Sequence, residues 1–164
     1  MNKSKWFALV FGILLLSGGY ATYARTQNHF ERSRLIVTNP VQHISNIAPQ
    51  GALHVPFTKV NLTARGTDII VNKITVVRTG PADDGAFEDI VLLNSEGEVL
   101  GDGSLDGEHT VHFSEPIYIP RNTTIRLTVA ANMAEDLAEF EGQISALVIT
   151  DIQASGFLPV NLKP

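Results

Sequence analysis

The sequence predicts an all-β fold, a single antiparallel sandwich with one short helix, and three observations support this prediction. About eight segments alternate apolar and polar residues with the period of two that is typical of strands. Glycine and proline separate these segments at short intervals, as in a chain that turns from strand to strand. Only one segment has helical spacing, and strands do not alternate with helices as they would in a parallel sheet.

Residues 1–24 have the layout of a secretory signal. Lys3 and Lys5 precede the apolar run WFALVFGILLL, and small residues at Ala21 and Ala24 follow it. The run is too short for a full membrane span, which needs about 20 apolar residues. We therefore expect an N-terminal helix that is cleaved near Ala24, with an uncleaved anchor as the alternative. Both alternatives predict a secreted or cell-surface protein, held at the membrane only if this segment is retained.

The rest of the chain divides into three parts. Residues 25–47 form a polar neck with one candidate strand, residues 35–37 within RLIVT. Residues 48–158 carry the sandwich pattern, and residues 159–164 form a short C-terminal tail. The candidate strand either pairs within its own sandwich or adds to the open edge of a neighbouring copy, and the sequence leaves both alternatives open.

The predicted strands of the sandwich follow one another closely. LHVPFTKVNLTA alternates but changes its exposed face, which predicts a bulge near Pro56. TDIIVNKITVVRTG alternates between Gly66 and Gly80, and AFEDIVLLNSEGEVLGDG predicts a hairpin that turns at NSEG. HTVHFSEPIYIP gives two short strands, and TTIRLTVAA and GQISALVITDIQA complete the set.

The one predicted helix is the segment NMAEDLAEF. Asn132 is suited to cap its first turn, and Glu135 follows three residues later, as in a capping box. Met133, Leu137 and Phe140 would share one face of the helix and pack it onto the sandwich.

The composition excludes several classes of function. Hydrophobic residues make up 44% of the 164 residues, which is enough for a packed core. The chain has no cysteine, so disulfides, thiol catalysis, zinc–thiolate sites and iron–sulfur clusters are excluded. The net charge is −5, and ten acidic residues but no lysine or arginine lie between Thr79 and Pro120. Such a surface repels nucleic acid and anionic lipid.

Two acidic segments, GPADDGAFED and GDGSLDGEH, contain the candidate metal ligands. Asp83, Asp84, Asp102 and Asp106 would bind calcium if both segments met at one end of the sandwich. Counting from Asp102, however, Phe113 occupies the position where an EF-type loop needs a bidentate glutamate. We therefore favour acidic turns between strands, with no cofactor bound, and keep calcium binding as the alternative.

Motifs that carry catalysis are missing from the sequence. It has no G-x-S-x-G, H-E-x-x-H or phosphate-binding glycine loop. His109 and His112 are three residues apart, so in a strand they point to opposite faces and do not form a metal-binding pair. We therefore predict that the chain is not an enzyme.

Three stretches carry a resemblance to a known kind of module: FTKVNLTARGTDIIVNKITVVRTG, LLNSEGEVLGDG and YIPRNTTIRLTVAANMAE. They resemble an Ig-like β-sandwich module of bacterial exported and cell-surface proteins, over about residues 48–155. The resemblance implies an Ig-like fold and a structural role in surface layers, adhesive proteins or filaments. It implies no catalytic residue.

We therefore expect a non-catalytic structural subunit of the cell surface or extracellular matrix, including a filament-forming one. Its partners would be further copies of itself or other cell-surface proteins. The alternative is a small secreted binding module that takes calcium or a glycan through the acidic loops. The first would form oligomers without a ligand, whereas the second would be stabilised by its ligand.

Overall fold

The computed structural model describes residues 33–42 and 48–157. The predicted signal or anchor helix of residues 1–24 and the tail of residues 159–164 lie outside the described residues, as does most of the neck. The described chain forms two antiparallel sheets, so the predicted all-β fold is confirmed. Nine strands follow one another in the described residues: β1 (Arg34–Thr38), β2 (Val55–Arg65), β3 (Asp68–Thr79), β4 (Phe87–Leu93), β5 (Val99–Gly103), β6 (Thr110–Phe113), β7 (Ile117–Ile119), β8 (Thr124–Met133) and β9 (Ala146–Phe157).

The two sheets differ in how their strands are ordered. The first sheet has the order β1-β2-β8-β4-β5. In the second sheet β3 is central, with β9 along one edge and the short strands β6 and β7 one after the other along the opposite edge. The chain crosses repeatedly between the sheets, so both are built from strands that are distant in sequence.

The core lies between the two sheets and follows from the alternation of apolar residues. Val60 and Leu62 of β2 and Ile74 and Val76 of β3 are each at most 2% exposed. Burying one aliphatic side chain of this size contributes about 1.5–3 kcal/mol. Since the chain has no cysteine, this packing takes the place of disulfides in stabilising the fold.

Several predicted details of the strands are confirmed. The pairing of β2 with β8 shifts its register between Pro56 and Thr58, which is the bulge predicted near Pro56. The predicted hairpin is formed by β4 and β5. The second strand of this hairpin runs further than predicted, to Gly103, so Asp102 lies within β5 opposite Val91 and not in a turn.

The prediction of a helix in the segment NMAEDLAEF is wrong. Asn132 and Met133 end β8, and the backbone N–H of Met133 donates a hydrogen bond to the carbonyl of Ala52 at 2.9 Å. The only helical turn in this segment is the 3-10 turn Ala138–Phe140. Pairing of β8 with β4 keeps the chain extended, and a short apolar pattern of this kind fits a strand end followed by a turn equally well.

The candidate strand of the neck is β1, and it pairs within its own sandwich. Arg34 lies opposite Arg65, and Thr38 lies opposite Asn61. Beyond β1 the side-chain amide of Gln42 continues this edge, accepting from the N–H of Lys59 and donating to its carbonyl, both at 2.8 Å. Exchange of β1 with a neighbouring copy stays a prediction.

Candidate functional site

One end of the sandwich is built from long connections and is called here the loop pole; it comprises residues 48–54, 80–86, 104–109 and 134–145. At this end β3 finishes and β9 starts, because Thr79 pairs with Ala146. The opposite pole is where β1 starts and β9 finishes. Both acidic segments of the sequence therefore have residues at the loop pole.

The two acidic segments meet around a buried arginine. Arg78 is 8% exposed and stands two residues beyond buried Val76 of β3, in the phase of the core-facing residues. Its guanidinium donates to the carboxylate of Asp84, to the carbonyl of Ala82, and to the carbonyl of Gly80 at 3.2 Å. A buried cation is stable only when it is paired in this way, so Arg78 holds residues 80–86 in place.

His109 joins the same cluster from the second acidic segment. Its Nδ1 lies 2.6 Å from Oδ2 of Asp84 and 2.9 Å from Nη2 of Arg78. Because a carboxylate only accepts and a guanidinium only donates, one nitrogen cannot bond both, and we assign Nδ1 as the donor to Asp84; its contact with Nη2 of Arg78 is then not a hydrogen bond. The residue has a positive φ of 61°, and its carbonyl accepts from the backbone N–H of Arg78 at 2.8 Å.

The environment of Asp84 favours its charged form. Burial alone would raise the pKa of the Asp84 carboxyl, but the hydrogen bonds from His109 and Arg78 and the charge of Arg78 hold its pKa below the ordinary value. Asp84 is therefore an ionised partner of two donors. Arg78, Asp84 and His109 are called the Arg78 cluster below.

The other candidate metal ligands have separate roles. Oδ1 of Asp83 accepts from the N–H of Gly85 at 2.8 Å, and Oδ1 of Asp106 accepts from the N–H groups of Glu108 and Thr110, both at 2.9 Å. These backbone hydrogen bonds lower the pKa of Asp106.

The exposed carboxylate of Asp102 lies on β5. Within the described residues, no three His, Asp or Glu side chains form a group that could hold a metal ion. The structure thus brings the two acidic segments together through Asp84 and His109, with the positive charge of Arg78 at their meeting point.

Beside the Arg78 cluster lies an apolar cavity of about 770 Å³, called here the pole cavity. Phe57, Phe87, Met133, Leu137 and Phe140 are among the residues that line it. The rings of Phe57 and Phe87 meet edge to face with their centroids 5.7 Å apart. A cavity of this size and character is typical of sites that receive apolar groups.

A second open feature lies along one side of the sandwich, between the edge strands β1 and β9. This side groove has a volume of about 510 Å³ and is lined by residues of β1, β2 and β9. Val37 and Val148 line it and are 47% and 41% exposed. Thr58 bridges its floor by donating a hydrogen bond to the carbonyl of Leu147.

The sequence predictions missed the Arg78 cluster, although one signal for Arg78 is present. Arg78 lies on the same face of β3 as Ile74 and Val76, which point into the core. An arginine on that face is buried, so its guanidinium needs carboxylate or carbonyl partners. The partnership with His109 has no local signal, because His109 is 31 residues away from Arg78.

No helix within residues 33–42 and 48–157 has the length and apolar character needed to cross a membrane. A comparison with models of known protein families gives no match, and neither does a comparison with curated proteins.

Proposed function

We propose that this chain is a non-catalytic, Ig-like structural subunit that is exported to the cell surface and associates with further copies of itself. The proposed contact is strand addition at the outer edge of β9. The single observation that carries this proposal is the length and composition of that edge, together with the groove beside it.

β9 is the longest edge strand of the described sandwich. It has 12 residues, whereas the edge strands β1 and β5 of the other sheet have five each. One edge of β9 pairs with β3 over the whole strand, and in the described residues its other edge pairs with no strand. Unpaired N–H and C=O groups of such an edge form hydrogen bonds readily with another extended chain.

The composition of β9 also favours pairing. Edge strands that stay single commonly carry lysine, proline or several charges. β9 has no lysine and no proline, and Asp151 is its one charged residue. The exposed Val148 and the partly buried Ile149 and Ile152 face the side groove and would be covered by an added strand.

A second copy of the chain is the occupant that the edge itself favours. Apart from the Leu147 carbonyl, which already accepts from Thr58, two copies present identical unpaired edges, and antiparallel pairing of β9 with β9 satisfies both at once about a two-fold axis. Such pairing also extends the second sheet continuously from one molecule into the next. The resemblance to bacterial surface modules supports the same role, since those modules work in assemblies.

Sedimentation velocity of the exported form of the full chain, over a wide range of concentrations, tests this proposal. We expect reversible association that Val148→Lys weakens by about tenfold or more, because lysine on the edge opposes strand addition. Val99→Lys is the matched control, since Val99 is 45% exposed but lies on β5, at the other side of the sandwich. A chain that stays monomeric throughout, or equal weakening by the two lysines, would contradict the proposal.

A further inference from the structure

The pole cavity also has features of a docking site for a segment of extended chain. It is open to solvent beside Ile144, an apolar residue that is 70% exposed and belongs to its lining. Phe140 and Leu137 on the same connection are only partly buried. The cavity therefore offers an exposed apolar surface. Covering that surface with further apolar side chains would be favourable, because it removes apolar area from water.

The sequence contains one segment with the right pattern for this cavity. Residues 158–162, LPVNL, follow directly after β9 and place apolar residues at alternate positions: Leu158, Val160 and Leu162. In an extended segment, alternate residues point to the same side. Three apolar side chains would thus be presented together.

The segment itself carries no charge, but Lys163 directly after it is opposite in charge to the rim of the cavity. Residues 135–141 carry four exposed acidic residues and no basic residue, and Glu141 lines the cavity itself. The chain after Phe157 carries Lys163 and no acidic residue. Attraction between these charges would favour this segment over an acidic one and would fix its direction in the cavity.

Residues 158–162 of a chain are too far from the pole cavity of that same chain. β9 starts at the loop pole and ends at the opposite pole, about 36 Å away at a rise of about 3.3 Å per residue. Five extended residues span at most about 18 Å. A segment 158–162 that entered the cavity would therefore have to come from another molecule.

We infer that the pole cavity of one copy binds residues 158–162 of the next copy, which joins the molecules head to tail. This inference rests on the proposed self-association and adds a second contact to it. A head-to-tail contact uses two different surfaces of each molecule, so it does not close on itself and it lengthens the assembly along the strand direction. The β9 edge would then join such rows side by side.

Two variants, each made in the Val148→Lys background so that the β9 contact is weakened, test the inference. In the first, the tail variant, Leu158, Val160 and Leu162 are all changed to serine. In the second, the cavity variant, Ile144→Glu places a negative charge at the mouth of the cavity. The full chain is used throughout, and assembly is followed by sedimentation velocity.

The expected result is specific to a head-to-tail contact. Each variant alone should associate on the order of ten- to hundredfold more weakly than the Val148→Lys chain, because buried apolar side chains are lost from the contact. An equimolar mixture of the two should form one-to-one dimers and nothing larger, since one partner keeps its cavity and the other keeps its tail. Leu53→Glu is the matched control, because Leu53 is 68% exposed on the same pole but does not line the cavity.

Three outcomes would overturn the inference. The mixture fails to pair, Leu53→Glu weakens association as much as Ile144→Glu does, or the Val148→Lys chain is already monomeric. The last outcome leaves the proposed β9 contact standing.

If Ile144→Glu and the serine changes disrupt assembly in the unaltered chain while Val148→Lys does not, the proposed function fails and the head-to-tail contact stands. Binding of an apolar fluorescent dye to the cavity without pairing of the mixture would identify a small-molecule site instead.

Discussion

Asp84 and His109 lie 25 residues apart in the sequence, yet Nδ1 of His109 is 2.6 Å from Oδ2 of Asp84. The same carboxylate accepts a hydrogen bond from Nε of the buried Arg78. Two connections of the loop pole are therefore tied to the end of β3 by one carboxylate. This arrangement ties residues 80–86 and His109 to Arg78, and the pole cavity, which Ala82 and Ala86 help to line, lies beside it.

Asp84→Asn should destabilise the fold by about 2–3 kcal/mol. The substitution keeps the size of the side chain but removes the negative charge that balances the buried Arg78. The expected cost lies below that of a fully buried pair because the side chain of Asp84 is 30% exposed. Denaturant unfolding measures it, and Asp83→Asn is the matched control. That change should cost no more than about 0.5 kcal/mol, because asparagine also accepts the hydrogen bond from Gly85.

The stability of the chain should fall in acid partly through Asp84. A carboxyl whose pKa is lower in the folded state stabilises the fold fully above its unfolded pKa, near 3.8, and this contribution is lost as the pH falls towards the folded-state pKa. Unfolding free energies measured from neutral pH down to about pH 2 should therefore decline less steeply for Asp84→Asn. Part of the decline should remain, because the pKa of Asp106 is lowered as well. Identical slopes for the two proteins would contradict the role assigned to Asp84.

Calcium should leave the thermal stability of the chain unchanged. The carboxylate of Asp84 is paired with Arg78, and Asp83 and Asp106 accept backbone hydrogen bonds. A ligand that binds only the folded state stabilises it by RT ln(1 + [L]/Kd), so a site with a Kd well below millimolar would raise Tm in millimolar calcium. Melting curves with calcium and with a chelator should superimpose. A rise of several degrees would support the alternative prediction, a calcium-binding module.

Gly80→Ala should be far more damaging than Gly97→Ala. Both glycines have positive φ, 97° and 85°, so alanine is strained at either position by about 1–2 kcal/mol. A Cβ at Gly80 would also lie 2.6 Å from the backbone oxygen of Ile144, whereas at Gly97 it meets nothing within 4 Å. We expect a further loss of about 1–3 kcal/mol at Gly80 because the two loops must separate. Equal losses in denaturant unfolding would show that these loops are not packed as described.

Much of the fold can be predicted from the sequence because strand patterns are local. The alternation in β3 and β8 and the turn between β4 and β5 each arise within about a dozen residues. The segment NMAEDLAEF misleads because helical spacing over so few residues also fits a strand end followed by a turn. The pairing of β8 with β4 decides between the two, and that pairing is not a local property.

The candidate site is less predictable for the same reason. Which connections share a pole depends on the order of strands in the two sheets, and local patterns do not specify that order. The sequence singles out the acidic segments that contain Asp84 and Asp106 as candidate calcium ligands, and that interpretation stays a prediction. It does not indicate that a positive charge from β3 lies between them, nor that β9 is left as a long edge beside the side groove.

Hydrogen exchange of the β9 amides tests the central claim, self-association through this edge, most directly. The backbone N–H groups of β9 that face away from β3 should exchange rapidly in dilute solution and become protected as the concentration rises. In Val148→Lys they should stay unprotected at every concentration, while the amides of β3 remain protected in both proteins. Outward amides of β9 that exchange at the same rate in dilute and concentrated solution would contradict the claim.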